Sequence, residues 1–379
     1  MFSMEEVATV RQSLIDWYRR DGRNLPWRDD AADPYRIVVS EMMLVQTTVT
    51  AVIPYYHRFL ARFPTVVDLA SADVADVLKM WEGLGYYRRA HQLHRVAQSV
   101  VSDHGGQFPT DERQLLALPG IGRYIAGAIR SFAFNQPAPI LEANTIRVHA
   151  RLSATRENVT ETAVQKKLWK QAEIMVDPNQ AGLFNQAIMD LGAMICTPDK
   201  PSCLVCPVSS FCQSYQKGLT DLIPQKAAKK PPKIGREAAI LITRSSDDAI
   251  LLAQRPPGGL WSEFWEIPTF WLSGADPARR FDAGWGCDDH VENIANRLGK
   301  QVSPKLKKCT LTLAKSITYA VTTHKMNLSL YTISILDLNQ DEISAYSTNS
   351  TLRFIPRPEI KNLTISSPHR VLLRHLGLR

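Results

Sequence analysis

Two hydrophobic periods divide the chain. Up to residue 212, apolar positions recur every three to four residues in segments such as "EEVATVRQSLIDWY", "SEMMLVQTTVTAVIPYYHRFLARF", "RRAHQLHRVAQSVVSDHG" and "AGLFNQAIMDLGAMIC", the spacing of amphipathic helices. Pro and Gly punctuate them at "RFPT", "GLGYY", "GGQFPT", "LPGIG" and "TPDKPS". Beyond residue 236 the period shifts to two. "AAILIT", "AILLAQ", "SITYAVTTH" and "LSLYTISIL" predict strands, and "DDHVENIANRLG" and "PHRVLLRHLG" predict helices. The pattern predicts an all-α domain over 1–215 and a smaller α+β domain over 237–379. The stretch between them, 216–236, contains "PQKAAKKPPKIGR", with five basic residues, three prolines and no acid. It is expected to be an extended, solvated linker.

Composition sharpens this only a little. A chain of 379 residues, 45% hydrophobic, has enough apolar material for two cores. No apolar run reaches the length of a membrane span. The N-terminus carries Glu5 and Glu6 where a secretory leader would be basic, so a soluble, intracellular, cytoplasmic protein is expected. The formal charge of +8 is compatible with a polyanionic partner. Nothing points to a multimer, and a monomer is expected.

Four of the six cysteines fall within one short stretch, Cys196, Cys203, Cys206 and Cys212, spaced Cys-x6-Cys-x2-Cys-x5-Cys. Four thiolates on one loop suit either a [4Fe–4S] cluster or a zinc ion. Structural zinc sites usually use two short Cys pairs, whereas only one is present here, so the spacing favours the cluster. Upstream, Leu118-Pro119-Gly120-Ile121-Gly122 separates two helical segments. A turn with Gly120 and Gly122 can aim backbone N–H groups at a phosphate, with a monovalent cation alongside.

This hairpin and cysteine loop together resemble the helix-hairpin-helix DNA glycosylases of the endonuclease III superfamily, and within them the MutY-type adenine glycosylases. "LPWR", "DPYRIVVSEMMLVQTTV", "WEGLGYYRRA", "FNQAIMDLGAMICTPDKPSCLVCPVSSFC" and "RPPGGLWSEFWEIP" extend the resemblance along nearly the whole chain. It implies a six-helix lobe plus an iron–sulfur lobe, a Nudix-like C-terminal domain, and excision of adenine mispaired with 8-oxoguanine or G in double-stranded DNA.

Releasing adenine requires protonation of the base and stabilisation of a cationic sugar, two tasks that suit carboxyl groups. The base must also leave the helix stack. The resemblance makes Glu41 the acid that protonates adenine at N7. Because Glu41 follows Ser40, it reads as a carboxylate at a helix N-terminus, where the dipole lowers its pKa. Burial beside Met42, Met43 and Leu44 would have to overcome that. Glu142 stands where the family has Asp, and Asn144 is expected to orient it or the attacking water. The extra methylene moves the carboxylate by roughly 1.5 Å, and misplacement on that scale can cost about 100-fold in rate. Tyr124 replaces the lysine of bifunctional relatives. It cannot form an imine, so efficient strand cleavage is not expected.

By the same resemblance, Trp27, Arg28 and Gln186 surround the adenine pocket, and Gln46 and Thr47 enter or line the duplex. Leu84 and Tyr86 supply a wedge and a lesion-side contact. Thr323 and His324, after Thr322, occupy the lesion-reading turn of the C-terminal domain. The helix at 287–299 carries too few acids for the Mg²⁺ site of a Nudix hydrolase, so lesion recognition rather than nucleotide hydrolysis is expected there. Two other readings remain, a mismatch thymine glycosylase and a lesion-binding protein with weakened catalysis.

Overall fold

The computed structural model describes residues 2–28, 33–227, 230–256, 259–274, 294, 303, 305–306, 309–333 and 351–378. The chain forms two compact units, Met1–Lys229 and Lys230–Arg379. No described helix is long and apolar enough to cross a membrane.

The first unit is helical. Its elements are α1 (Met4–Asp21), α2 (Pro34–Leu44), α3 (Val49–Arg62), α4 (Val66–Ser71), α5 (Val74–Trp81), α6 (Arg88–His104), α7 (Glu112–Ala117), α8 (Arg123–Ala128), α9 (Ala143–Leu152), α10 (Thr162–Met175), α11 (Ala181–Asp190) and α12 (Gln213–Gln216). Helices α8 and α11 each run on into a π-helical turn, Ile129–Ala133 and Leu191–Ile195. Such turns often mark functional sites.

The long apolar segment "SEMMLVQTTVTAVIPYYHRFLARF" is not one helix. Asp33 accepts from the Tyr35 backbone N–H and Pro34 takes the first helical position, so α2 starts well before Ser40. It ends at Leu44, and Thr48 caps α3. Glu41 therefore lies in the last turn of α2. The end of the helix nearest it carries carbonyls with no partner inside the helix, so the dipole opposes an anion there. This reverses the expectation drawn from Ser40.

One core joins α1 to α9 and α11 through Val10, Leu14, Val148, Phe184 and Ile188, with Cys196, Cys206 and Cys212 packed on its edge. The cysteine loop thus rests on the helices that carry the site. The stretch expected to be a linker is taken up at both ends. Ile223 is buried with Leu141, Val159 and Leu168, and the first strand of the second unit begins at Lys233.

In the second unit, β1 (Lys233–Ile242), β4 (Thr269–Gly274), β5 (Thr312–Val321) and β6 (His324–Ile333) form a sheet in the order β4-β1-β6-β5. Strands β2 (Ile250–Gln254), β3 (Trp265–Glu266) and β7 (Thr351–Ile355) form a second sheet in the order β3-β2-β7. A final helix, α13, spans Ser367–His375. Successive residues of β1 enter two cores. Ala238, Ile240 and Ile242 join one, and Ala239 and Leu241 the other. Burial on both faces explains why this strand reads as an apolar run. Most of the stretch 287–299 lies outside the described residues.

Candidate active site

Helix α2 delivers Glu41 into a narrow pocket whose walls include Trp27, Arg28, Ser40, Phe132 and Gln186. Glu41 is 4% exposed. Burial raises its pKa most, the Glu142 charge adds to this, and a hydrogen bond from Tyr124 and the charge of Arg28 oppose it, leaving it at about 7. Tyr124, near the start of α8, donates its hydroxyl to Glu41 Oε2 at 2.6 Å. Burial, then the two carboxylates, hold the phenol well above its usual pKa, so it stays a donor.

Glu142 answers two descriptions at once. It is the N-cap of α9: its carboxylate accepts from Asn144 N at 2.9 Å and Thr145 N at 3.1 Å, and its own N–H donates to Thr145 Oγ1 at 2.8 Å. It also acts on Glu41 and Tyr124 electrostatically. Burial raises its pKa, while the two backbone N–H groups and Arg147 pull the other way. Asn144 does reach Glu142, and its Oδ1 accepts from Arg147 Nη2 at 2.9 Å. Arg147 also donates to Cys196 O at 2.6 Å and Gly192 O at 2.5 Å. A continuous hydrogen-bonded path therefore links Glu142 to the cysteine loop.

Arg28 is held in place by Asp190, fully buried at the end of α11. Asp190 accepts from Arg28 Nη1 and Nη2 at 2.7 and 2.8 Å and from Arg23 Nη2 at 2.6 Å. Burial alone would raise its pKa, but these bonds win and the net shift is downward. Asp190 was not read from the sequence. Its place in "MDLGA" gave no signal beyond a polar residue on an apolar helix.

A second group of expected residues gathers around Arg89. This buried guanidinium donates to Met42 O, Met43 O and Val45 O at 2.7, 2.8 and 2.7 Å, to Thr47 Oγ1 at 3.2 Å and to Gly85 O at 3.1 Å. It ties the α2–α3 turn to the "GLGYY" loop. Gln46 is exposed in that turn at φ 59°. Leu84, expected as a wedge, is packed inside at 7% exposure, whereas Tyr86 is 51% exposed at φ 49°. Tyr86 thus presents its ring to solvent, with the Arg89 guanidinium carbon 5.5 Å from the ring centroid.

Comparison with known proteins fits this arrangement. Residues 39–173 match the model of the HhH-GPD superfamily base excision DNA repair protein. The chain is 36% identical over 320 residues to the adenine DNA glycosylase of Mus musculus, covering 72% of this chain and 62% of the relative. It is 38% identical over 315 residues to that of Homo sapiens, covering 70% and 58%. Against the adenine DNA glycosylase of Buchnera aphidicola subsp. Baizongia pistaciae it is 36% identical over 262 residues, 68% of this chain and 73% of the relative. The chain belongs to the adenine DNA glycosylase family. It spans about 60% of the length of the mammalian relatives. Among solved structures, it is similar to a thermostable thymine-DNA glycosylase, with TM-score 0.52, 31% identity and coverage of 56% of this chain and 98% of that one.

The remaining family positions fall as follows. Gly120, at φ 86°, turns the chain between α7 and α8, and Gly122 caps α8. In the cysteine loop, Arg151 donates to Cys196 Sγ at 3.4 Å and to Thr197 O at 2.7 Å. The four sulfurs influence one another electrostatically, and burial pushes Cys206 up to about 12. No three His, Cys, Asp or Glu side chains among the described residues are grouped for a single metal ion. A cluster takes one thiolate at each of four irons, and so accepts more widely spaced donors. In the second unit, Thr322 and Thr323 form the exposed β5–β6 turn, with both hydroxyls 3.4 Å from His324 Nδ1.

Proposed function

We propose that this protein is a monofunctional adenine DNA glycosylase that removes adenine mispaired with 8-oxoguanine or G from double-stranded DNA. One observation carries the reading: a carboxyl with a pKa of about 7, anchored by a tyrosine, lines a pocket with Trp27, Arg28 and Gln186 and is coupled to a second carboxyl. Near neutral pH, Glu41 holds a proton for much of the time and can give it to adenine N7. The C1′–N9 bond then breaks, with its electron pair passing to the departing base. The Glu142 carboxylate stabilises the oxocarbenium ion until water adds at C1′ and loses a proton. Tyr124 lies against Glu41 and has no amine, which supports release without an efficient lyase step.

Cys196, Cys203, Cys206 and Cys212 would hold one [4Fe–4S] cluster. Soft thiolate donors on one loop and the Arg151 N–H directed at Cys196 Sγ support that fit. When bound, the cluster would supply structural order, and Arg147 would transmit that order to Asn144 and Glu142. The second unit supports a Nudix-like lesion-recognition role through the exposed Thr323 hydroxyl and His324, which can meet the 8-oxoguanine face.

The test is single-turnover base release from an 8-oxoG:A duplex, with alkali added to reveal abasic sites. Fast release with cleavage only after alkali is expected. Release of thymine from a T:G duplex in preference to adenine would overturn the assignment, and the likeness to the thymine-DNA glycosylase makes that control necessary.

A further inference from the structure

Tyr18 is not among the residues the catalytic reading uses, yet it touches two pocket walls. From the last turn of α1, its hydroxyl donates to Gln186 Oε1 at 2.5 Å. Its ring lies 5.3 Å from the Arg28 guanidinium carbon. The ring's seat is built into the chain. A Cβ at Gly22 would come within 2.6 Å of Tyr18 Cδ2 and 2.7 Å of Cε2, so the ring occupies the space that any larger residue at position 22 would need.

The hydrogen bonds along this wall run in one direction. Asp190 is fully buried and held ionised by its arginines, so it can only accept, and both Arg28 Nη atoms donate to it. Arg28 has donors only, and with its Nη atoms on Asp190 it turns its charge to the Tyr18 ring face. Burial raises the Tyr18 pKa, so the phenol keeps its proton, and the hydroxyl gives it to Gln186 Oε1. An amide that receives that proton has its oxygen turned to Tyr18 and its nitrogen turned away. Gln186 lines the same pocket as Glu41.

We infer that Tyr18 is a positioning residue that locks the Gln186 amide with its Nε2 hydrogens toward the pocket, so that this wall reads a hydrogen-bond acceptor on the displaced base. This rests on the glycosylase reading above. Adenine offers acceptors at its ring nitrogens and a donor at its 6-amino group. A locked amide engages a ring nitrogen. An amide freed to turn over can instead accept from the 6-amino group.

The test compares Tyr18→Phe with the wild-type protein in single-turnover release of adenine and of unsubstituted purine, which lacks the amino group, each opposite 8-oxoguanine. Loss of one orienting hydrogen bond is expected to slow adenine release by about 3- to 10-fold. Purine release should slow several-fold more, because a turned amide has nothing to accept from. In a Gln186→Leu background, Tyr18→Phe should change the adenine rate by less than about 2-fold, the mark of one residue acting through the other. Equal slowing of both bases, or an undiminished effect in the Gln186→Leu background, would assign Tyr18 a merely structural role and overturn the inference. Wild-type protein inactive on adenine would overturn the proposed function and this inference with it, whereas an active wild type and an indifferent Tyr18→Phe overturn only the latter.

Discussion

The Tyr124 hydroxyl meets Glu41 Oε2 at 2.6 Å across 83 positions of sequence. This pairing fixes one carboxyl oxygen and leaves the other to carry a transferable proton. The bond favours the ionised form of Glu41, but burial against the base pocket and the neighbouring Glu142 charge favour the neutral form more strongly.

Glu41 should therefore govern two pH dependences. Its folded pKa of about 7 lies above the ordinary 4.5, so the folded state binds the extra proton. Stability linked to this group is complete below pH 4.5 and is lost as pH rises to about 7. Glu41→Gln removes that loss. It should leave stability near that of the wild type at pH 4.5 and raise it by up to about 3 kcal/mol above pH 7. Thermal denaturation of both proteins across this range checks the prediction. Adenine release by the wild type should fall about 10-fold per pH unit well above pH 7, and Glu41→Gln should abolish it while sparing duplex binding.

Glu142 caps α9 and, in the proposed mechanism, stabilises the cationic sugar, and substitution separates the two roles. Glu142→Gln keeps one acceptor for the α9 N–H groups, so the stability loss should stay within about 1 kcal/mol. The missing charge should slow base release by about 100-fold or more. Glu142→Asp preserves cap and charge and should release adenine at least as fast as the wild type. A slower Asp variant would mean that the backbone around Ala143 is fitted to the longer side chain.

Arg147→Leu strips donors from Asn144 Oδ1, Cys196 O and Gly192 O together. Each buried acceptor left unpaired costs about 1–3 kcal/mol. The variant should unfold at markedly lower denaturant and release base more slowly even at temperatures where it is fully folded. Wild-type release at such a temperature would show that the path from the cysteine loop to Glu142 carries no positional information.

Arg89 has its pKa lowered by burial to about 10, so it remains charged at neutral pH while holding three carbonyls of the α2 end. Arg89→Met should weaken binding to a mispaired duplex more than it slows chemistry on bound substrate, because Thr47 and Tyr86 lose their common anchor. Titration of binding by anisotropy, set against the single-turnover rate, separates the two effects.

What the sequence determined by itself was whatever depends on local spacing. The helical period in "EEVATVRQSLIDWY", the Leu118–Gly122 turn and the four-cysteine loop reappear where the pattern put them, and the strand period of "SITYAVTTH" holds as far as Val321, where the chain turns into β6. Even the start of α2 was legible in Asp33 and Pro34, although Ser40 drew attention away from it. Tertiary structure decided what depends on residues far apart meeting in low dielectric. Only packing shows that Tyr124 and Glu142 converge on Glu41. Asp190, Arg89 and Arg147 are further examples, since a lone charged residue reads as solvated until the fold closes carbonyls or arginines around it. Leu84 and Tyr86 make the same point in reverse: nothing in "GLGYY" ranks them, and core volume alone buries the one and leaves the other at the surface. Period is a property of neighbours in sequence, whereas burial and charge coupling belong to neighbours in space.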